Sequence, residues 1–124
     1  MALSEREKDV LSFIAVAAGS IGALELLFLL RRSPERYWES EALVHELRAS
    51  PLLVERATTQ LEKYGLLERS ESMVRYRPSS EQLDTLVAEA ENLYRAKLVS
   101  VLNAIAKTPN EAMYAFAEAF RIKG

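Results

Sequence analysis

The sequence contains no cysteine, an absence that excludes disulfide bonds, thiolate metal sites and cysteine redox sensing. A cysteine-free chain suits the cytoplasm, and we expect that location. Glycine and proline are also scarce, with 4 of each among 124 residues, while charged residues make up 27%. This composition is typical of an ordered, helix-rich protein rather than of a disordered tail.

An excess of positive charge is missing as well. The formal net charge is −2, whereas a protein that binds nucleic acid usually carries a basic surface that displaces counterions from phosphate. From Arg31 to Arg77, nine Arg or Lys residues stand against eight Glu residues, so this region has a balance of only +1. The charge balance therefore argues against nucleic-acid binding.

No catalytic or nucleotide-binding motif is present. The phosphate-binding loop, the dinucleotide fingerprint, the H-E-x-x-H zinc motif and the G-x-S-x-G nucleophile motif are all absent. His45 is the only histidine, with Glu41 one turn before it, and nothing else nearby completes a metal or nucleophile site. We expect no enzyme activity, no metal site and no cofactor.

One apolar stretch, Val10 to Leu30, is about as long as a membrane-spanning helix requires. Glu25 would cost roughly 2.5 to 3.5 kcal/mol at the bilayer centre, and Gly19 and Gly22 interrupt the stretch. The residues before it are mixed and slightly acidic, which disfavours a signal peptide. Two shorter helices explain the stretch better, and a membrane-attached adaptor is the lesser alternative.

The chain has enough apolar residues for one packed core and too little length for two, so we expect a single domain over 1–124. Capping signals and apolar spacing predict a mainly α fold with a small β component. The first predicted elements are helices over 5–18 and about 21–32, followed by a strand stub at Tyr37 and Trp38. A helix over 41–48 has Ser40 as its N-cap, a helix over 51–64 begins with Ser50 and Pro51, and strands over 66–70 and 73–77 follow. A helix over 80–107, with Ser79 and Gln82 as a capping box, and a helix over 108–122 complete the chain.

The most specific local signal is Leu61-Glu62-Lys63-Tyr64-Gly65-Leu66-Leu67, in which a helix stops at glycine directly before a strand. Together with Ala23-Leu24-Glu25-Leu26-Leu27, the helix from Ser40 to Leu47 and the basic hairpin, this segment resembles winged helix-turn-helix bacterial transcriptional regulators. The resemblance covers about residues 20–78.

The flanking helices, over 4–18 and 80–122, look like a MarR-type layout, in which terminal helices build a homodimer. The resemblance implies that helix 51–64 enters the major groove of double-stranded DNA and that the wing, 67–77, contacts the backbone. We therefore expect a sequence-specific DNA-binding regulator of transcription. The sequence does not identify an effector, whether a small molecule or a protein.

A helical wheel for residues 51–64 has an inward face, an outward face and two marginal positions. The inward residues are Val54, Ala57, Leu61 and Tyr64, the outward ones are Leu52, Glu55, Arg56, Thr59, Glu62 and Lys63, and Thr58 and Gln60 lie at the margins. Arginine pairs with guanine, glutamine with adenine, and threonine meets a base edge or the thymine methyl group, while lysine and the wing arginines suit phosphate. The predicted DNA contacts are Ser50, Arg56, Thr59, Gln60, Lys63, Arg69, Arg75 and Arg77.

A plainer interpretation of the same residues is an ordinary solvated helix face and a charged edge strand that discourages aggregation. Glu55 and Glu62 lie on the outward face and would repel phosphate. A winged helix that contacts protein instead of DNA is the main alternative.

The predicted 80–107 helix would extend roughly 40 Å, which is longer than a small domain can cover alone. A second copy is the simplest partner for its apolar side, because readers of two half-sites gain from twofold symmetry. Folding back of the last helix is the alternative. The predicted dimer contacts are Leu93, Leu98, Val101, Leu102, Ile105, Phe116 and Phe120.

Overall fold

The computed structural model describes residues 3–106, which form mostly helices and a small three-stranded antiparallel sheet. The elements are α1 (Glu5–Phe13), a π-helical turn (Ile14–Ala18), α2 (Ile21–Arg32), β1 (Trp38–Glu39), α3 (Ser40–Leu47), α4 (Pro51–Lys63), β2 (Leu67–Ser70), β3 (Met73–Tyr76), α5 (Glu81–Ala96) and α6 (Leu98–Ala106). The expected mainly α class is confirmed. The predicted helix over 108–122 lies outside the described residues.

The first helix begins with the predicted capping box. The Ser4 hydroxyl accepts from the Glu7 amide at 3.0 Å, and the Glu7 carboxylate accepts from the Ser4 amide at 2.9 Å. The helix widens into the π-helical turn and stops at Gly19, whose φ of 76° is left-handed and favours glycine. Ser20 then caps α2, accepting from the Ala23 amide at 3.1 Å.

The long apolar stretch thus divides into two helices, as predicted, and they meet at an angle of 98°. Most of its large side chains are buried, including Ile14, Leu24 and Leu27, whereas Glu25 is exposed. Within residues 3–106, no single helix has the length and apolar character to cross a membrane, and only the bent pair Glu5–Ala18 and Ile21–Arg32 meets that test jointly.

Local backbone conformation and a capping hydrogen bond in the turn between α3 and α4 fix the start of α4. α3 ends at Arg48, which adopts a left-handed conformation with φ 53° although it is not glycine. The Ser50 hydroxyl then accepts from the Leu53 amide at 3.1 Å, and Pro51 occupies the first helical position, as predicted. Ser40 is the first residue of α3 rather than its N-cap, which is Glu39.

The three strands pair in the order β1-β3-β2, all antiparallel. β2 and β3 form a hairpin slightly shorter than predicted, and its tip contains Glu71 with a left-handed φ of 56°. β1 lies one residue later than the predicted stub, and Trp38 pairs with Val74 of β3. The hairpin is therefore attached to the strand that precedes α3.

The prediction of one helix over 80–107 is wrong, because the helix breaks at Lys97, where φ is −136° and ψ is 60°. The Lys97 ammonium lies 3.0 Å from the Glu7 carboxylate at the start of α1. The break lets α6 pack on α1 and the π-helical turn and bury Val101 and Ala104. The described part of the chain therefore contains no helix of 40 Å, and the argument from helix length for a second copy fails.

The start of α5 also differs from the prediction by one residue. Ser80, rather than Ser79, caps the helix and accepts from the Leu83 amide at 3.1 Å. The Ser79 amide instead donates to the Gly65 carbonyl at 2.8 Å. A Cβ at Gly65 would lie 2.7 Å from the Ser79 hydroxyl, so this contact joins the end of α4 to the start of α5 and requires glycine.

Candidate nucleic-acid interface

α4 has one face in the core and one in solvent. Val54, Ala57 and Leu61 are buried, as the helical wheel predicts. Thr58, predicted at the margin, is 1% exposed, and its hydroxyl donates to the Val54 carbonyl at 2.9 Å. Tyr64, predicted inward, is half-buried at the helix end. Burial of this face leaves the opposite side of α4 projecting outward.

The outer face of α4 mixes both signs of charge. Its exposed residues are Leu52, Glu55, Arg56, Thr59, Glu62 and Lys63. Among residues 3–106, neither Arg56 nor Lys63 has an ion-pair partner. The Lys63 ammonium lies 5.6 Å from the centre of the Tyr64 ring. Both cations are therefore available to an outside ligand.

Gln60 does not join this outer face, although it was predicted to read a base. Its side-chain amide donates to the Val16 carbonyl at 2.8 Å and is partly buried. Carbonyls in the last turn of a helix lack a partner within that helix, and this bond supplies one. Gln60 thus connects α4 to the π-helical turn, which places its amide away from a base-reading position.

The hairpin arginines are each bonded to a glutamate. Arg69 donates to Glu62 on α4 at 3.1 Å, which ties β2 to the outer face of that helix. Arg75 and Arg77 both contact Glu68, at 3.2 and 3.5 Å. The three arginines predicted to bind phosphate therefore lie together beside α4, and two carboxylates, Glu62 and Glu68, compensate part of their charge.

Glu68 is the centre of this network, and the sequence analysis missed it. Besides the two arginines, it accepts from the Tyr37 hydroxyl at 3.3 Å, and the Arg75 guanidinium lies 4.9 Å from the Tyr37 ring centre. The hydrogen bond from Arg75 is the main reason that the pKa of Glu68 lies below its usual range. A two-residue tip places Glu68 opposite Arg75, and this register was a usable signal in the sequence.

A second network attaches the hairpin to α5 and α2. The Tyr76 hydroxyl donates to the Asp84 carboxylate at 2.5 Å, and Arg31 lies 3.7 Å from the same carboxylate. Burial, followed by this hydrogen bond to Asp84, raises the pKa of Tyr76. Arg31 also pairs with Glu91 at 3.4 Å. These contacts hold the hairpin in a defined position relative to the helices.

The aromatic pair before α3 divides between core and surface. Trp38 is buried in the core. Tyr37 lies at the surface against Arg75. This pair therefore contributes to the core and to the hairpin network.

The predicted dimer contacts lie partly in the core of the chain and partly on its surface. Leu93 and Val101 lie in the core of the single chain, and Ile105 is half-buried, so packing within the chain accounts for them. Leu98 and Leu102 are exposed on α6, beside Val99, which is 69% exposed. Phe116 and Phe120 lie outside the described residues. Among the predicted contacts within residues 3–106, those open to a second copy are therefore Leu98 and Leu102 on α6.

Comparison of the chain with protein-family models, with curated proteins and with solved structures finds no match. Between residues 3 and 106, no group of three or more His, Asp or Glu side chains is arranged to hold a metal ion. The chemistry that the described surface offers is therefore that of a polar helix face flanked by a charged hairpin.

Proposed function

We propose that this protein is a sequence-specific DNA-binding transcription regulator with a winged helix-turn-helix, in which α4 enters the major groove. The observation that carries the proposal is the outer face of α4, held outward by a buried face, with Arg56, Thr59 and Lys63 exposed. These side chains suit base edges and phosphates.

The order of the elements supports this proposal. A winged helix-turn-helix braces its recognition helix with two others and sets a hairpin beside it. Here α2, β1, α3, α4 and the β2–β3 hairpin follow in that order, and β1 pairs with β3. The bond between Arg69 and Glu62 places the hairpin next to α4, where a wing would lie.

The ion pairs limit the charge that this surface offers to DNA. Arg56 and Lys63 are unpaired within residues 3–106, and Arg77 keeps 63% of its side chain exposed. If each of these three cations binds one phosphate, the logarithm of the binding constant falls with the logarithm of salt concentration with a slope of about −3 per copy. We expect weaker non-specific binding than for a basic winged helix.

A gel-shift titration at two salt concentrations, with DNA upstream of the protein's own gene, tests the proposal. Replacing Arg56 and Lys63 together by alanine should lower the affinity by at least about tenfold and reduce the salt slope by about 2. Arg95→Ala is the matched control, because Arg95 is an exposed arginine on α5. Absence of a complex at low salt, or equal affinity in both variants, would contradict DNA binding.

The second candidate is a winged helix that binds protein, and it rests on a specific observation. Leu52 and Leu53, in the first turn of α4, are 58% and 38% exposed. The first residues of a recognition helix are those that meet base edges, where leucine offers no hydrogen bond. Selection from genomic fragments separates the candidates, since recovery of a defined palindromic site favours DNA and rules against this one.

We propose a homodimer as the functional form. Its support is the exposed apolar side of α6, which contains Leu98, Val99 and Leu102. A twofold pair would present two copies of α4 to two half-sites. Sedimentation equilibrium should show a dimer that Val99→Asp converts to monomer, whereas Asn103→Asp, on the same helix, serves as the control. A monomer at all concentrations would refute the dimer.

A further inference from the structure

A groove of about 660 Å³ lies between α4, the π-helical turn and the start of α2. Its lining contains many small residues, including Ala15, Ala18, Gly19 and Ala57, which leave space that larger side chains would fill. The groove along the side of α4 is therefore lined by small and apolar residues together with the polar side chains of Arg56 and Gln60.

Leucines form the rim of this groove on α4. A Cβ at Gly22 would lie 3.2 Å from the Leu53 methyl groups, so Leu53 packs directly on the backbone of α2 while remaining 38% exposed. Leu52 is 58% exposed, which makes it one of the most exposed large apolar side chains within 3–106. Both side chains lose unfavourable contact with water if a partner fills the groove.

The course of the chain brings a suitable partner to this groove. Ile105 lines the groove, and α6 ends one residue later at Ala106. The residues that follow include Met113, Phe116 and Phe120 at spacings of three and four, the pattern of a single apolar helix face. Only six residues separate Ala106 from Met113, a distance along the chain that is short enough for these side chains to reach the groove.

We propose that residues 108–122 bind in this groove of their own chain, with the stripe of Met113, Phe116 and Phe120 against Leu52 and Leu53. A short tether gives the segment a high effective concentration at its own groove, which favours it over a second copy or another protein. The docked segment covers the leucines that suggest protein binding by α4 and, because Arg56 also lines the groove, lies against the edge of the outer face of α4. This inference does not depend on DNA binding.

The first experiment measures the accessibility of Leu52 in the full chain. Because the protein has no cysteine, Leu52→Cys introduces a single thiol. Its alkylation should be at least about tenfold slower than in the same protein carrying Phe116→Asp and Phe120→Asp, since a docked segment leaves the open state below about 10%. Thr85→Cys, on the exposed side of α5, should react at one rate in both backgrounds. Equal rates for Leu52→Cys in the two backgrounds would overturn the proposal.

Crosslinking identifies the occupant. Leu52→Cys is combined in turn with Met113→Cys, Phe116→Cys and Phe120→Cys, and each full-length protein is oxidised mildly. A disulfide within one chain, in at least one pair and absent from the corresponding pairs with Thr85→Cys, supports docking in the protein's own groove. Crosslinked dimers would assign the groove to a second copy, and a lack of any disulfide would leave the groove unoccupied by this segment. Either result overturns the proposal.

Discussion

The cations on two neighbouring parts of the proposed DNA-binding surface, α4 and the hairpin, differ in whether they pair with a carboxylate. On α4, Arg56 and Lys63 pair with no carboxylate among residues 3–106, whereas on the hairpin Arg69, Arg75 and Arg77 are each bonded to a glutamate. The hairpin has more arginines, yet among residues 3–106 α4 has more cations without a carboxylate partner. A count of basic residues therefore overestimates the charge that a surface presents to phosphate, because cross-strand and hairpin-to-helix ion pairs compensate part of it.

The largest effect should come from the buried side of α4. Leu61 is fully buried, so Leu61→Ala should lower the free energy of unfolding by about 2–5 kcal/mol through lost burial and a cavity. Lys63→Ala, two residues along on the outer face, should change it by less than about 0.5 kcal/mol. Urea unfolding monitored by circular dichroism measures both. Similar losses for the two variants would show that α4 does not divide into a packed and a free face.

Gln60 should behave as a structural residue. Gln60→Ala leaves the Val16 carbonyl without its partner and should lower the free energy of unfolding by about 1–3 kcal/mol. Thr59→Ala, at the adjacent position on the exposed face, should cost less than about 0.5 kcal/mol. The same urea titration compares them. If Gln60→Ala leaves the free energy of unfolding unchanged but lowers the affinity for DNA, Gln60 reads a base and does not act as a structural residue.

Glu68 is the carboxylate that pairs with two of the hairpin arginines. Glu68→Gln removes the carboxylate that compensates Arg75 and Arg77, so the affinity for DNA should rise several-fold and the salt slope should steepen by about 1–2. Glu41→Gln removes an exposed carboxylate from α3 and is the control for net charge. Equal affinity for the two variants in gel shifts would mean that the hairpin arginines do not contact DNA.

The same carboxylate should contribute to the acid sensitivity of the fold. Its pKa in the folded protein lies below the ordinary value of 4.5, chiefly because Arg75 donates a hydrogen bond to it. The stabilisation is therefore present above about pH 4.5 and is lost as the pH falls through the lowered folded pKa. Thermal unfolding from pH 7 to pH 3 should fall less steeply for Glu68→Gln than for Glu41→Gln. Parallel curves would show that the Arg75 bond does not stabilise the fold.

The smallest effect concerns the hairpin tip. Glu71 has a left-handed φ of 56°, a conformation that costs residues with a Cβ about 1 kcal/mol. Glu71→Gly should therefore raise the free energy of unfolding by up to about 1 kcal/mol. Ser72→Gly, the other tip residue, gains no such relief and should be neutral or destabilising. Stabilisation by both substitutions would show that the left-handed conformation of Glu71 is not the cause of the effect.

Local signals predicted much of the framework on which the candidate site is built. Ser50 with Pro51 marked the start of α4, Gly65 its end, and alternation before Pro78 the hairpin. Each of these depends on residues within a few positions along the chain, where capping geometry and backbone preference act directly. For the same reason, the predicted boundaries of the first two helices agree closely with the observed ones.

Two of the missed features depend on residues far apart in the chain, and the third depends on the register of the hairpin. The break at Lys97 has no glycine or proline to mark it, and it coincides with an ion pair to Glu7 at the other end of the described chain. The bond from Gln60 to Val16 joins residues 44 positions apart. The position of Glu68 opposite Arg75 follows from strand register, which the two-residue tip sets. Such contacts form only when the elements pack.

The sequence by itself determined where most helices and strands begin and end and which side of α4 is apolar, because caps, turns and periodicity are local properties of the chain. The tertiary structure alone decided which cations remain free, where the helix after the hairpin breaks, and that a groove opens beside α4. Those outcomes depend on which side chains meet across the fold. Ion pairing and burial require that side chains lie close in space, whatever their separation along the chain.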